Sequence, residues 1–224
     1  MIDYTVHGGW PGVRDMPSDA SLEVAKGYIE TLVSNDTSFE GVSRNPAKML
    51  RLIRSLARNE STNASKKALK RDMSENQDDP QIADNTLNDY LSILERLHFT
   101  DFQHAFNPNM RPSVRVGKTP KRHLADLSLI AAALGMNVES YINDLNSFGY
   151  LFEALCVHDL KVYATMSEGK MMHYCDGDGN EIDAVVEMPD GRWGAFEVKT
   201  GAHEIDESAE SLLNSNSRVM RYTS

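Results

Sequence analysis

Cysteine is scarce in this 224-residue chain: Cys156 and Cys175 match no zinc-ligand spacing and are too few for a disulfide framework. A reducing compartment is the expectation. Long apolar runs are missing too. No stretch reaches bilayer-spanning length, and the N-terminus lacks a basic start followed by an apolar segment, so a cytoplasmic protein with no membrane partner is expected. Positive charge is in short supply, with 23 Lys and Arg against 33 Asp and Glu, a net −10 that excludes a uniformly basic nucleic-acid binder. What is present, 41% hydrophobic and 25% charged residues, is the composition of a globular protein with a sizeable core, in one large domain or two small ones.

The charge is unevenly spread. Between Arg44 and Asp72, nine Lys or Arg face only Glu60 and Asp72, and five more basic residues without an acid lie between Pro108 and His123. From Leu124 onward the balance reverses, with 17 Asp or Glu against six Lys or Arg. A basic first half able to meet phosphates thus precedes an acidic second half that repels them.

In residues 1–44, Met1 to Asp19 contains Gly8-Gly9-Trp10-Pro11-Gly12, has no periodicity and reads as a connector. Ser21 is the expected N-cap of a helix to about Val33, with Leu22, Ala25, Ile29 and Val33 on one side. Over residues 45–123, Asn45-Pro46 opens a helix in which Met49, Leu50, Ile53, Leu56 and Ala57 recur at helical spacing while Lys48, Arg51, Arg54 and Arg58 face out. A short helix from about Ala64 to Met73 follows, then a polar loop Ser74 to Asn85. A third helix, Thr86 to His98, carries the stripe Leu87, Tyr90, Leu91, Leu94 and Leu97, and Phe99 to Phe106 reads as a strand. Three short helices and a strand predict a winged-helix unit.

Read for function, that unit contacts DNA, with Arg51, Arg54, Lys66, Lys67, Lys70, Arg71, Lys121 and Arg122 as candidate phosphate-binding residues. Read for structure alone, it is a helical packing domain with a solvated basic face. The third helix starts with Asp84, Asn85 and Asp89, which phosphates repel, so contact is expected through the other basic residues. After a short strand, Val114 to Val116, Gly117-Lys118-Thr119 superficially resembles a phosphate loop. The glycine required five residues earlier is Pro112, however, so no nucleotide-binding motor is expected.

Residues 124–224 begin with a small-residue helix, Leu124 to Leu134, stopped by Gly135, and a linking helix, Val138 to about Leu145. A longer helix, Phe148 to Tyr163, buries Leu151, Leu155, Val157, Leu160 and Val162; Glu153 on it either faces solvent or is directed toward a site. Lys170 to Cys175 is the first strand of a meander. Its connector places Asp176, Asp178 and Asn180 at calcium-loop positions, with Glu187 at the twelfth, but the sixth is Glu181 where glycine is required, so a hairpin turn is predicted.

The next two strands, Asn180 to Glu187 and Trp193 to Thr200, flank Pro189-Asp190-Gly191. Alternation places Glu181, Asp183 and Val185 on one face of the first strand and Ala195, Glu197 and Lys199 on one face of the second. If the loop is Pro189 to Gly191, Asp183 lies opposite Glu197 and two carboxylates converge with an amine. That set suits Mg²⁺ or Mn²⁺ held by Asp183 and Glu197, with Lys199 positioning or deprotonating water or offsetting phosphate charge. The plain alternative is a solvated hairpin face.

The order helix, three-stranded meander, helix (Ile205 to Leu213) resembles the PD-(D/E)XK nuclease-like core: Asp183 matches its Asp, Glu197-Val198-Lys199 its (D/E)XK element, and Glu153 an acidic residue on the preceding helix. More closely, the chain resembles the C-terminal module of unknown function that follows an AAA+ ATPase domain. The matching segments, covering nearly the whole chain, are Gly8-Gly9-Trp10-Pro11, Arg54-Ser55-Leu56-Ala57-Arg58-Asn59, Thr86-Leu87-Asn88-Asp89-Tyr90-Leu91, Pro120-Lys121-Arg122-His123, Gly149-Tyr150-Leu151-Phe152-Glu153 and Glu181-Ile182-Asp183. The resemblance implies an α/β (α+β) fold: a winged helix followed by a restriction-endonuclease-like core with a mixed sheet. It also implies an AAA+ ATPase domain in the same parent chain or as a partner. Two functions follow: a Mg²⁺-dependent nuclease with Asp183, Glu197, Lys199 and Glu153 as catalytic residues, or a non-catalytic DNA- or protein-binding regulatory module.

Overall fold

A computed structural model describes residues 1–35, 45–74, 82–106, 119–175 and 181–201, with 209, 212 and 213. The chain divides into two compact units, Met1–Asp101 with Arg122–Leu151, and Phe102–Lys121 with Phe152–Ser224. The architecture is mixed α/β.

The first unit begins with α1 (Ile2–His7) and a 3-10 turn at Pro11–Val13, so the opening segment is built structure and not a bare connector. Its lack of periodicity hid this, because its order comes from tertiary hydrogen bonds. Gly9 N–H donates to Asp126 Oδ2 (2.8 Å) and Trp10 Nε1 to Ser128 Oγ (2.9 Å). Helix α2 (Ser18–Asn35) starts three residues before the expected Ser21 cap. Ser21 is buried inside it and donates to the His7 carbonyl (2.6 Å), which ties α2 to α1.

Helix α3 (Pro46–Arg58) starts where Asn45-Pro46 predicts: the Asn45 side chain accepts from Lys48 N–H, and proline has no amide to orphan. It buries Met49, Leu52, Ile53, Leu56 and Ala57. Helix α4 (Lys66–Met73) is capped by Ser65. Helix α5 (Asp84–Arg96) begins two residues before the expected Thr86 and has no side-chain cap. Strand β1 (Thr100–Ala105) follows, and β2 (Lys121–Leu124) occupies a stretch read as a basic segment and helix start. Helix α6 (Leu127–Leu134) therefore starts three residues late, on the Asp126 cap, and stops at Gly135, whose φ of 67° is the left-handed form glycine tolerates. Its small side chains let both α2 and α3 pack on it. Helix α7 (Val138–Asn143) carries a capping box from Asn137 and Ser140.

Helix α8 (Leu145–Met166) carries Glu153; Leu151 and Val157 are buried, whereas Val162, expected inside, is 46% exposed. Strands β3 (Lys170–Cys175), β4 (Glu181–Glu187) and β5 (Trp193–Phe196) form the expected meander, and the five strands lie in the order β2-β1-β3-β4-β5. The β1–β3 pair is parallel, and the β3–β4 and β4–β5 pairs are antiparallel. The expected strand at Val114 to Val116, the Gly117-Lys118 pair, the Asp176 to Asn180 connector and most of the Ile205 to Leu213 helix lie outside the described residues, as does most of the Ser74 to Asn85 loop. Among the described residues no helix is long and apolar enough to cross a membrane.

Candidate active site

The β4–β5 hairpin has the register set by a three-residue loop: Glu187 pairs with Trp193, Val185 with Ala195 and Ala184 with Phe196. Met188 N–H donates to Arg192 O (2.7 Å), closing Pro189-Asp190-Gly191, and Gly191 takes φ 84°. Continuing the register by one residue brings Asp183 opposite Glu197. The strand ladder ends there, and Val198 N–H turns to donate to Asp183 Oδ2 at 2.8 Å. Asp183 is 7% exposed.

Strict alternation fails at this point. On β3 Met172 pairs with Val185, but Tyr174 pairs with Ile182, so Asp183 and Ala184 together oppose His173. This is a β-bulge, and it moves Val185 away from the face assigned to Asp183 and into one apolar cluster with Ile182, Phe106, Met172 and Tyr174. A bulge interrupts ladder hydrogen bonds and re-aims a side chain. Gln103 supplies the missing donor: its buried Nε2 bonds the carbonyls of Asp183 (2.7 Å) and Met172 (3.1 Å). Sequence reading passed over Gln103; the available signal was a glutamine inside a strand between Phe102 and the buried Phe106.

Lys199 Nζ lies 2.9 Å from Glu197 Oε1, with the lysine one-third exposed and the glutamate less so. Burial pulls the Lys199 pKa down, but the hydrogen bond that Lys199 donates to Glu197 and the charges of Glu197, Asp183 and Glu153 outweigh it and raise it. The amine therefore stays charged at neutral pH, which suits electrostatic stabilisation and disfavours the water-deprotonating role. Cys156, one turn beyond Glu153, has its thiol pushed up by burial and then by Asp159, Glu153 and Asp183, so it rests as a neutral thiol. Asp183, Glu153 and Glu197 thus all act electrostatically on Lys199, and Asp183 and Glu153 on Cys156 as well. Glu153 is held by Lys121, whose Nζ is 3.2 Å from Glu153 Oε1.

Three carboxylates against two ammonium groups leave the cluster with one net negative charge, and Glu197 Oε2 is buried with no hydrogen-bond partner among the described residues. Both features fit a divalent cation. Among the described residues, however, no group of three or more His, Cys, Asp or Glu side chains is gathered to hold a metal. The fit is thus to a hard ion that takes one or two carboxylates and keeps its waters, as Mg²⁺ does.

The basic residues of the first half divide into three groups. Lys121 is 2% and Arg122 9% exposed; Arg122 donates to Ala64 O (3.0 Å), so both point inward and are not surface phosphate ligands. Lys66 bonds Asn88 (2.6 Å) and Lys70 pairs with Asp84 (2.7 Å), so the polar start of α5 is occupied by the lysines of α4. The Lys70 hydrogen bond, then its charge, lowers the Asp84 pKa. Arg54, Lys67 and Arg71 are exposed, and Arg51 is half-buried.

No curated protein and no solved structure matches the chain. A family model described as a domain of unknown function (DUF4143) matches residues 148–222, which contain most of α8 and the β3–β5 meander. A second, described as a domain of unknown function (DUF8612), matches residues 1–140, more than half of the sequence, and the chain belongs to that family.

Proposed function

We propose that Asp183, Glu197, Lys199 and Glu153 form the site of a Mg²⁺-dependent nuclease-like module that acts on or binds DNA, carried on a restriction-endonuclease-like core that follows a winged helix in the chain. The observation that carries this reading is the Lys199 ammonium 2.9 Å from Glu197 Oε1, next to a Glu197 Oε2 that is buried with no hydrogen-bond partner among the described residues. Asp183 and Glu197 would hold the ion. Bound there, Mg²⁺ would supply Lewis-acid polarisation of a phosphodiester and activation of water. Lys199, kept charged, donates to phosphate oxygens as negative charge builds on them. Val198 N–H fixes the Asp183 carboxylate, and Gln103 fixes the main chain beneath it. Exposed Arg54, Lys67 and Arg71 are the surface cations that would meet a phosphate backbone. The partner is an AAA+ ATPase domain, in the same parent chain or separate, in keeping with the usual association of the second matched domain.

The test is cleavage of DNA by the full chain with Mg²⁺ or Mn²⁺, beside Asp183→Ala and Lys199→Ala. Metal-dependent cleavage lost in both variants is expected; none by the intact protein ends the enzyme reading. A non-catalytic regulatory module is the second reading. It is favoured by the ion pairs that already engage Lys199 and Lys121, and by the acid excess after Leu124.

A further inference from the structure

We propose that Lys121 is a positioning residue that keeps Glu153 out of the ligand set of any cation bound by Asp183 and Glu197, so that Glu153 acts on the site through its charge alone; this rests on the metal-site reading above. Lys121 opens β2, and at 2% exposure its ammonium is beyond the reach of a nucleic-acid phosphate. A buried ammonium is tolerable only when matched by an anion, and the match here is Glu153 Oε1 at 3.2 Å. Drawing Glu153 onto a cation strands that ammonium, so the pair resists the move. The same pair accords with there being, among the described residues, no group of three or more such side chains gathered to hold a metal. Lys121 thereby sets the kind of ion the site takes, one that binds through two carboxylates and keeps several waters, as Mg²⁺ does, rather than Ca²⁺, which draws more of its oxygens from the protein.

Calorimetric titration of the full chain with Mn²⁺ tests this, with thermal melts to establish folding. Wild type is expected to bind and Asp183→Ala to lose binding, while Glu153→Gln weakens it by about tenfold at most, as for a group outside the coordination sphere. Lys121→Met is expected to tighten Mn²⁺ binding by about tenfold, because the released carboxylate joins the ligands. Lys121→Arg restores wild-type affinity, and adding Glu153→Gln to Lys121→Met abolishes the gain, which a merely structural lysine does not predict. The inference alone is overturned if Glu153→Gln loses binding as completely as Asp183→Ala, or if folded Lys121→Met binds no tighter than wild type. Should Lys121→Met fail to fold, the Glu153→Gln comparison decides by itself. No Mn²⁺ uptake by wild type overturns the metal-site reading and this inference together.

Discussion

His7 has both ring nitrogens against main-chain carbonyls: Nδ1 is 3.0 Å from Gly8 O, and Nε2 is 3.0 Å from Val13 O and 3.1 Å from Met16 O. Only the imidazolium donates from both sides. The Gly8 carbonyl raises the His7 pKa most; burial opposes it, and the Met16 and Val13 carbonyls and the Asp3 charge add to the rise. Because the folded value lies above the unfolded one, the stabilisation is complete below the ordinary imidazole range and is lost as pH climbs through the folded value. Melting temperature should therefore fall between about pH 6 and pH 8 in wild type, and His7→Gln should flatten that slope. An unchanged slope in the variant refutes the assignment.

At the scale of elements, two glycines with left-handed backbone have different reasons for being glycine. Gly191 (φ 84°) closes the β4–β5 loop with open space around it, so Gly191→Ala meets only backbone strain, about 1–2 kcal/mol. Gly8 (φ 76°) follows α1, and a Cβ there would run into Asp126 Oδ1 and Ser128, the groups that start α6. Gly8→Ala adds overpacking to strain and should cost about 2–5 kcal/mol. Urea melts of the two variants check the order; equal losses would mean that the α6 contact yields freely. The bulged β4 gives a third case. Ile182 is fully buried beside Asp183, and Ile182→Ala should cost about 2–5 kcal/mol by leaving a cavity. If metal binding survives in folded Ile182→Ala, the bulge and not this side chain aims Asp183.

For the whole molecule, the net charge of −10 sets the limit on nucleic-acid binding. Of the eight candidate phosphate ligands, Lys121 and Arg122 are buried, Lys66 and Lys70 are engaged with α5 and Arg51 is half-buried, which leaves Arg54, Lys67 and Arg71 exposed. Contacts by those three alone predict a log–log slope of binding against salt of about −3 on duplex DNA. A steeper slope in fluorescence anisotropy titrations would bring Arg51 or residues outside this face into the contact. Triple replacement of Arg54, Lys67 and Arg71 by Ala should abolish the slope.

The sequence by itself determined the elements whose causes are local. Asn45-Pro46 started α3, Gly135 ended α6, and Pro189-Asp190-Gly191 set the hairpin register that pairs Glu187 with Trp193 and Ala184 with Phe196. Each is a matter of caps, φ preference or loop length, read within a few residues. Only the tertiary structure decided the rest. That Lys121 turns inward to Glu153, that Gln103 spans a bulge to hold Asp183, and that Gly8-Gly9-Trp10 is ordered against α6 all depend on partners 32, 80 and more than 100 residues away. A basic residue has the same letter whether it meets solvent or a buried carboxylate; burial, which the whole fold sets, decides between them.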